Sequence, residues 1–191
     1  MTGVQTCALP ICWGKFRHLL GFGGGKPGAV LPSGIAIAPG YVTADIETDW
    51  LTGGATIWRR EIIDQYSYDE WFIGMGYLED LDYSYNVRQR YRLMVVAGAR
   101  IVHNSPPMRK DRYYLLGKWQ IVNRMYLVRK YRNRGLSLFQ AWATSFAIMA
   151  GHAVQGLLRT DRTYLDRAQG NFAGIFSEVR GHKEQIGGFL K

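Results

Sequence analysis

The chain has 191 residues, with 24 Lys+Arg against 15 Asp+Glu, a formal net charge of +9, and 47% hydrophobic residues. This length is typical of one globular domain. The apolar fraction excludes an intrinsically disordered protein, two cysteines are too few for a disulfide-stapled secreted mini-protein, and the glycines lack the three-residue period of collagen. The composition predicts a folded, intracellular protein with an anionic partner: phosphate groups, nucleic acid or an acidic membrane surface.

Residues 1–11, MTGVQTCALPI, resemble the translation of a sequencing adapter. No Lys or Arg precedes their short apolar run, so the charged start of a signal peptide is absent. We expect this segment to be an assembly artefact and the authentic sequence to begin near Cys12, inside a longer gene. The Cys7/Cys12 pair is therefore not interpreted as a metal or redox site.

The next part of the chain, to about Gly40, is rich in Gly and Pro and predicts an irregular loop. Gly23, Gly25 and Gly28 fit the pattern G-x-G-x-x-G. Pro27 interrupts this match, no apolar strand precedes it and no helical pattern follows it. A dinucleotide-binding loop is therefore not expected here.

The middle of the chain alternates short predicted elements with turns. Gly53-Gly54 predicts a turn that leads into a short strand at Ala55–Trp58, and a short helix is predicted at 61–65. An aromatic, Gly-punctuated loop follows at 66–77. It is typical of a segment that packs over a site.

Residues 79–90, EDLDYSYNVRQR, carry acids in the first turn and arginines in the last. The helix dipole favours this order, so a helix is predicted. Residues 92–102 are β-branched and apolar at both ends and predict one or two buried strands ending at His103.

Residues 111–191 are mainly helical in pattern and contain no proline. Between 109 and 134, nine basic residues stand against one acid, a net charge of +8. Leu136–Leu158 then runs 23 residues without a charge, and aromatic and apolar side chains recur on one helical face. Three alternatives stay open for this amphipathic helix: packed in the protein, lying in a membrane interface, or spanning a membrane.

The acids Glu79, Asp80 and Asp82 bring three carboxylates into one helical turn. Crowded carboxylates raise at least one pKa, which makes a general base plausible, whereas a solvated helix start is the simpler interpretation. His103 stands at a predicted strand end and is either a metal ligand or structural. No zinc-site, serine-hydrolase or kinase motif occurs in the sequence.

Taken in order, these segments resemble the second half of a family 2 glycosyltransferase domain. The residues that carry the resemblance are DWLTGG at 49–54, RRE at 59–61, EDLD at 79–82 and ARIVH at 99–103, with a looser match at Asn123-Arg124. The resemblance implies an α/β fold: the C-terminal half of a GT-A-like mixed-sheet domain, followed by a mainly helical region. The domains implied are a partial catalytic domain at 12–107 and a basic, helical, membrane-associated region at 108–191.

The resemblance also implies roles for individual residues. Asp80 would deprotonate the acceptor hydroxyl in one inverting displacement, with Glu79 and Asp82 orienting it. The substrate-binding residues would be Trp50, Thr52, Gly53, Gly54 and Arg60. His103 matches a histidine that completes the shell of Mg²⁺ or Mn²⁺, with the remaining ligands in the absent first half. Asn86 stands where the family often has Arg, which suggests an unusual acceptor.

These roles imply an enzyme that moves a sugar from a nucleotide-sugar donor to a glycan or lipid-linked acceptor in cell-envelope polysaccharide synthesis. It would act at the cytoplasmic face of the bacterial inner membrane, with the basic stretch attracting anionic lipid. We expect coding sequence upstream of Trp13 to encode an apolar strand ending in D-x-D, and the 191-residue chain alone to be inactive. The alternative is a non-enzymatic basic module that binds nucleic acid or anionic membrane, although no nucleic-acid-binding signature supports nucleic acid as a partner.

Overall fold

A computed structural model of the chain describes residues 20–72, 76–102, 104 and 108–181. These residues form a mainly helical structure with a two-stranded antiparallel sheet. The strands are β1 (Ile46–Thr48) and β2 (Leu93–Val95). The helices are α1 (Arg60–Gln65), α2 (Glu79–Val87), α3 (Tyr113–Lys130), α4 (Leu138–Arg159) and α5 (Arg162–Val179).

Helices α3, α4 and α5 pack together and form the framework of the molecule. The Ser137 hydroxyl caps α4 by accepting the Gln140 N–H, and the Asp161 carboxylate caps α5 by accepting the Thr163 N–H. Gly135, with φ of +94°, lies in the turn between α3 and α4. These caps and turns set short connections, so neighbouring helices fold back on one another. The helical prediction for this region is confirmed.

Glycines bring α3 and α5 into backbone contact. A Cβ atom on Gly170 would lie 2.0 Å from the carbonyl oxygen of Tyr114, and one on Gly117 would lie 2.3 Å from that of Arg167. Gly174 likewise faces the Lys118 carbonyl oxygen. No side chain fits at these positions, so the crossing of the two helices depends on the missing Cβ atoms.

Two apolar clusters hold α2 and the sheet to this framework. The larger cluster joins α2 and the 70–72 turn to α3, α4 and α5; its members are Phe72, Leu81, Tyr85, Ile121, Met125, Leu127, Val128, Tyr131, Leu136, Ala141 and Ile175. The smaller cluster joins α1, α2 and β2 through Ile62, Tyr83, Val87 and Leu93. Helix α2 takes part in both, so its position is fixed from two sides.

The predicted α/β mixed sheet does not appear in the described residues, where β1 and β2 pair only with each other. The predicted strand at Ala55–Trp58 is wrong: Gly53–Ala55 forms a 3₁₀ turn, and the extended residues after it pair with no strand. The strand predicted at 92–102 shrinks to Leu93–Val95, because Ile101 and Val102 are exposed and leave no apolar face to bury. The helix predicted at 79–90 ends at Val87.

The predicted boundary between residues 107 and 108 stays a prediction, but side-chain contacts cross it. The Asn123 amide donates to the Tyr77 carbonyl oxygen at 2.8 Å, and the Lys130 ammonium group donates to Asp82 at 2.9 Å. The predicted catalytic segment and the helical region are therefore packed together at α2.

Helix α4 buries small and polar side chains, while two of its aromatic side chains stay in solvent. Thr144, Ser145 and His152 are buried, whereas Phe139 and Phe146 are exposed. The buried hydroxyl groups find backbone acceptors: the Thr144 hydroxyl donates to Leu20 O, and the Ser145 hydroxyl to Ala141 O. In the part of the chain that the structure describes, no helix is both long and apolar enough to cross a membrane.

Replacing Gly170 by Ala should separate α3 from α5, because the new methyl group meets a backbone carbonyl oxygen. We expect the free energy of unfolding to fall by roughly 1–3 kcal/mol. Gly151 in α4 is the matched control, since a Cβ there meets nothing within 4 Å. Gly151→Ala should leave stability unchanged or raise it by up to about 1 kcal/mol. Urea denaturation measures both, and equal stabilities for the two variants would contradict the close α3–α5 contact.

Candidate functional site

A cavity of about 1240 Å³ lies between the 52–54 turn, the start of α2 and helices α3, α4 and α5. Ligand sites are clefts of roughly 300–1,000 Å³, so this one has room for a large substrate. Six of the residues predicted from the sequence line it: Trp50, Thr52, Gly53, Gly54, Glu79 and Asp80. The fold therefore brings the Gly-Gly turn and the first two acids, Glu79 and Asp80, to one wall.

A direct hydrogen bond joins these two predicted segments. The Gly53 N–H donates to Asp80 Oδ2 at 3.1 Å, and the Leu81 N–H donates to Asp80 Oδ1 at 2.8 Å. A Cβ on Gly53 would lie 3.5 Å from the Asp80 Cβ, so the backbone of the turn passes close to α2. Each carboxylate oxygen keeps lone pairs for a further donor.

Glu79 stands beside Asp80 at the start of α2. Burial, and then repulsion from the Asp80 carboxylate, raise the pKa of Glu79. The two residues before it turn tightly: Leu78 has φ of +72°, a left-handed conformation that is uncommon for a residue with a side chain. Such backbone persists only where the surroundings impose it, and it frequently marks functional sites.

Asp82 does not share this wall. Its side chain is buried against α3, where Oδ2 accepts from the Lys130 ammonium group at 2.9 Å. Burial raises the pKa of Asp82, and the Lys130 contact opposes that shift. Residues two apart on a helix point to nearly opposite sides, which is why Asp80 faces the cavity and Asp82 the interior. The structure thus places Asp82 as an anchor of α2.

Two other predicted site residues do not line the cavity in the described structure. Arg60 is exposed at the start of α1 and pairs with Asp64 at 2.8 Å. His103 lies outside the described residues. Among the described residues no three His, Cys, Asp or Glu side chains come together as a metal site. The Mg²⁺ or Mn²⁺ prediction therefore stays a prediction.

The helical wall of the cavity carries polar residues that the sequence interpretation did not assign to a site. They are Gln120, Arg124, His152, Gln155, Arg159, Tyr164 and Arg167. The sequence signal that could have indicated these residues was the presence of polar side chains, Gln120 and Asn123-Arg124, within an otherwise apolar helical stretch. Their burial depends on how three helices cross, which local periodicity does not encode.

His152 is buried in this wall, where its Nδ1 lies 2.7 Å from Asn171 Oδ1. The Asn171 amide nitrogen donates to Gly117 O, so Oδ1 accepts and His152 Nδ1 carries the proton. Burial lowers the pKa of His152 to about 4, with the Asn171 bond opposing it and the Arg167 and Arg124 charges adding to it. The imidazole is therefore neutral at pH 7.

The basic stretch at 109–134 is only partly available to an outside partner. Lys130 is paired with Asp69 and Asp82, Arg129 is paired with Glu178, and Arg124 is buried. Three of its aromatic side chains are also occupied: Trp119 and Tyr131 are buried, and Tyr126 stacks on Trp71 with ring centroids 4.3 Å apart. Fewer aromatic faces are therefore available for stacking on bases than the sequence pattern suggests, and the nucleic-acid alternative stays a prediction.

Comparisons with protein families, curated proteins and solved structures return no match for this chain. The function proposed below therefore stands on the residues, their geometry and the motif resemblance.

The buried neutral imidazole of His152 makes stability depend on pH. Its folded pKa of about 4 lies below the ordinary 6.5, so the unfolded chain binds a proton that the folded one does not. The stabilisation that results from this difference in pKa is fully present above pH 6.5 and is lost as the pH falls toward 4. The difference between the two pKa values corresponds to roughly 3 kcal/mol of folding free energy.

Urea denaturation of the wild-type chain and of His152→Gln, whose amide cannot titrate, measures this dependence. Between pH 7 and 4.5 the wild type should lose about 2–3 kcal/mol more than the variant. Parallel pH profiles for the two proteins would contradict a buried neutral His152.

Proposed function

We propose that this chain carries the acceptor side of an inverting, GT-A-like family 2 glycosyltransferase site, centred on Asp80. The observation that carries this proposal is the Gly53 N–H to Asp80 contact on the wall of the large cavity. Two segments 27 residues apart in the sequence, each matched to that family by its residues, meet at one hydrogen bond. If Asp80 served only as a solvated acid at the start of a helix, there would be no reason for it to contact the Gly53 turn.

The geometry supports Asp80 as a general base. Gly53 and Leu81 each donate one N–H to its carboxylate and hold it in a fixed orientation. Of the roughly four lone-pair positions on a carboxylate, about two remain to accept an acceptor hydroxyl. In the proposed reaction that hydroxyl oxygen bonds to the anomeric carbon while the bond from this carbon to the diphosphate oxygen breaks, and the proton moves to Asp80.

The neighbouring residues fit supporting roles. Glu79, whose pKa is raised, holds its proton to higher pH than a free carboxyl and can share hydroxyl binding. The Trp50 indole N–H donates to Ile37 O at 3.1 Å, which fixes the ring against the cavity wall. Such a rigid aromatic surface is suited to stacking on a sugar ring. A bound Mg²⁺ or Mn²⁺ would neutralise the leaving diphosphate, and its ligands would come from outside the described residues.

Replacing Asp80 by Asn should abolish sugar transfer by the full-length natural protein while the fold is kept. The amide cannot take the hydroxyl proton, so we expect a loss of at least ~100-fold in rate. The assay follows radiolabelled glucose, N-acetylglucosamine and rhamnose from their nucleotide sugars into a lipid extract. Asp64→Asn, at an exposed carboxylate paired with Arg60, is the control and should keep full activity.

Two results would contradict the proposal. One is wild-type transfer that Asp80→Asn leaves intact. The other is the lack of transfer from every donor of that panel by the full-length wild-type protein. A purified 191-residue chain that transfers sugar would contradict the separate expectation that it is inactive alone.

The same proposal includes docking on an anionic membrane surface through α4. Phe139, Phe146 and Leu157 are 7 and 11 residues apart, close to two and three helical turns, so they lie along one line of the helix. All three are exposed, Leu157 and Phe139 to 70% or more. Apolar side chains in such a line favour a helix lying in an interface.

Exposed basic residues flank this apolar line and favour anionic lipid as its partner. Arg132 and Arg134 precede α4, and Arg159 and Arg162 follow its apolar face. Each basic residue near an anionic surface contributes about 1 kcal/mol to attraction. Apolar insertion and charge attraction would then place the cavity near a lipid-linked acceptor.

The double variant Phe139→Ser/Leu157→Ser should bind poorly to vesicles containing phosphatidylglycerol, because it removes both ends of the apolar line. Co-sedimentation should show binding by the wild type to these vesicles, little to pure phosphatidylcholine, and several-fold less by the variant. Ile57→Ser, which removes an exposed apolar side chain outside α4, is the control. Equal binding to these vesicles by all three proteins would contradict membrane docking. A wild-type protein that forms a dimer, which the double variant disrupts, and that binds no vesicles would also contradict it.

A further inference from the structure

The helical wall of the cavity holds a guanidinium group without a counter-ion. Arg124 is only 3% exposed, and its Nε and Nη1 have no hydrogen-bond partner. None of the ion pairs between described residues includes Arg124. An unpaired buried cation costs several kcal/mol, so proteins rarely keep one without a purpose.

The surroundings fix this side chain in place. Gly34, with φ of +77°, lets the backbone approach so closely that a Cβ there would lie 3.2 Å from Arg124 Cγ. The Tyr77 side chain interacts with the guanidinium, and burial lowers the Arg124 pKa from its ordinary value. Asn123, next in the chain, holds the Tyr77 carbonyl oxygen. Arg124 thus lines the cavity, and its Nε and Nη1 are left without an acceptor among the described residues.

A second arginine strengthens the positive character of this wall. Arg167 on α5 donates to Gln120 Oε1 through Nη2, but its buried Nε has no partner. Arg159 lines the cavity at its more exposed edge. Arg124, Arg167 and His152 line the same cavity, and the charges of the two arginines help to lower the pKa of His152. The carboxylates Glu79 and Asp80 belong to the opposite elements, the start of α2.

We propose that Arg124 and Arg167 form an anion site in this cavity that binds a phosphate or diphosphate group. Arginine N–H groups form strong, charge-assisted hydrogen bonds with phosphate oxygens, and a bound anion would supply the counter-charge that Arg124 lacks. The site stands on the cavity and its unpaired donors and does not require transfer activity.

The source of the phosphate rests on the proposed function. The diphosphate belongs either to the nucleotide-sugar donor or to a lipid-linked acceptor. The apolar cavity residues Ile35, Leu116 and Ile148 fit the lipid chain beside such a headgroup. Asp80 lies on the other wall of the cavity. A substrate whose phosphate binds to the arginines would therefore have its sugar directed toward the Asp80 carboxylate.

Isothermal titration calorimetry of the 191-residue chain with inorganic pyrophosphate tests the site. We expect saturable binding by the wild type and at least ~10-fold weaker binding by Arg124→Met, since a charged hydrogen bond contributes about 1.5–3 kcal/mol. Arg124→Lys should bind with intermediate affinity. Arg90→Met, at an exposed arginine just beyond α2 that does not line the cavity, is the matched control and should bind like the wild type.

Thermal unfolding gives a second readout. Pyrophosphate should raise the melting temperature of the wild type and of Arg90→Met but not that of Arg124→Met or Arg167→Met. Competition then separates the sources: tighter binding of farnesyl diphosphate than of UDP supports the acceptor, and the reverse supports the donor. Absence of pyrophosphate binding by the wild type, or equal binding by Arg124→Met, would overturn the anion site. Neither result bears on Asp80, which the transfer assay tests separately.

Discussion

The ion pair between the buried Asp82 carboxylate and the partly exposed Lys130 determines how the rest of the site is arranged. It ties α2 to α3, with Lys130 also bound to Asp69 at 2.7 Å. Removing Lys130 would leave the Asp82 carboxylate buried without its cation, which destabilises the fold. With Asp82 held inward, the rotation of α2 is set, and Asp80 and Glu79 must face the cavity.

The cavity that results has two chemically different walls. The 52–54 turn and the start of α2 supply carboxylates and backbone N–H groups, whereas α3, α4 and α5 supply arginines and a neutral histidine. The glycines at the α3–α5 crossing let these helices approach closely and so bury Arg124 and His152. A substrate with a hydroxyl at one end and a phosphate at the other matches this polarity. Helix α4 also exposes the apolar line on which the proposed membrane docking depends.

Local signals in the sequence were sufficient for the helices. The acidic first turn of α2 and the helical pattern of residues 111–191 predict helices that the structure confirms, because caps and dipoles act over a few residues. The strand predictions failed at Ala55–Trp58 and beyond Val95. Short apolar runs form strands only where a partner strand exists, and the described residues supply none there.

Part of the site was also predictable from the sequence. The order of the motifs along the chain assigned Gly53 and Asp80 to the same site, and the structure places them in contact. Helical geometry alone shows that Asp80 and Asp82 point in nearly opposite directions, so they could not have faced the same cavity. The burial of Arg124 and of the polar side chains of α4 could not be predicted, since Arg124 interacts with Tyr77 and His152 with Asn171, which lie 47 and 19 residues away in sequence.

The most direct test of the central claim, that the Gly53 turn and Asp80 form one site, is an NMR pH titration of the Gly53 amide proton. If the Asp80 carboxylate accepts that N–H, the Gly53 proton shift should move downfield as Asp80 ionises, and Asp80→Asn should remove the transition. A Gly53 amide whose shift ignores pH across the carboxyl range, or titrates equally in Asp80→Asn, would show that the two segments do not meet.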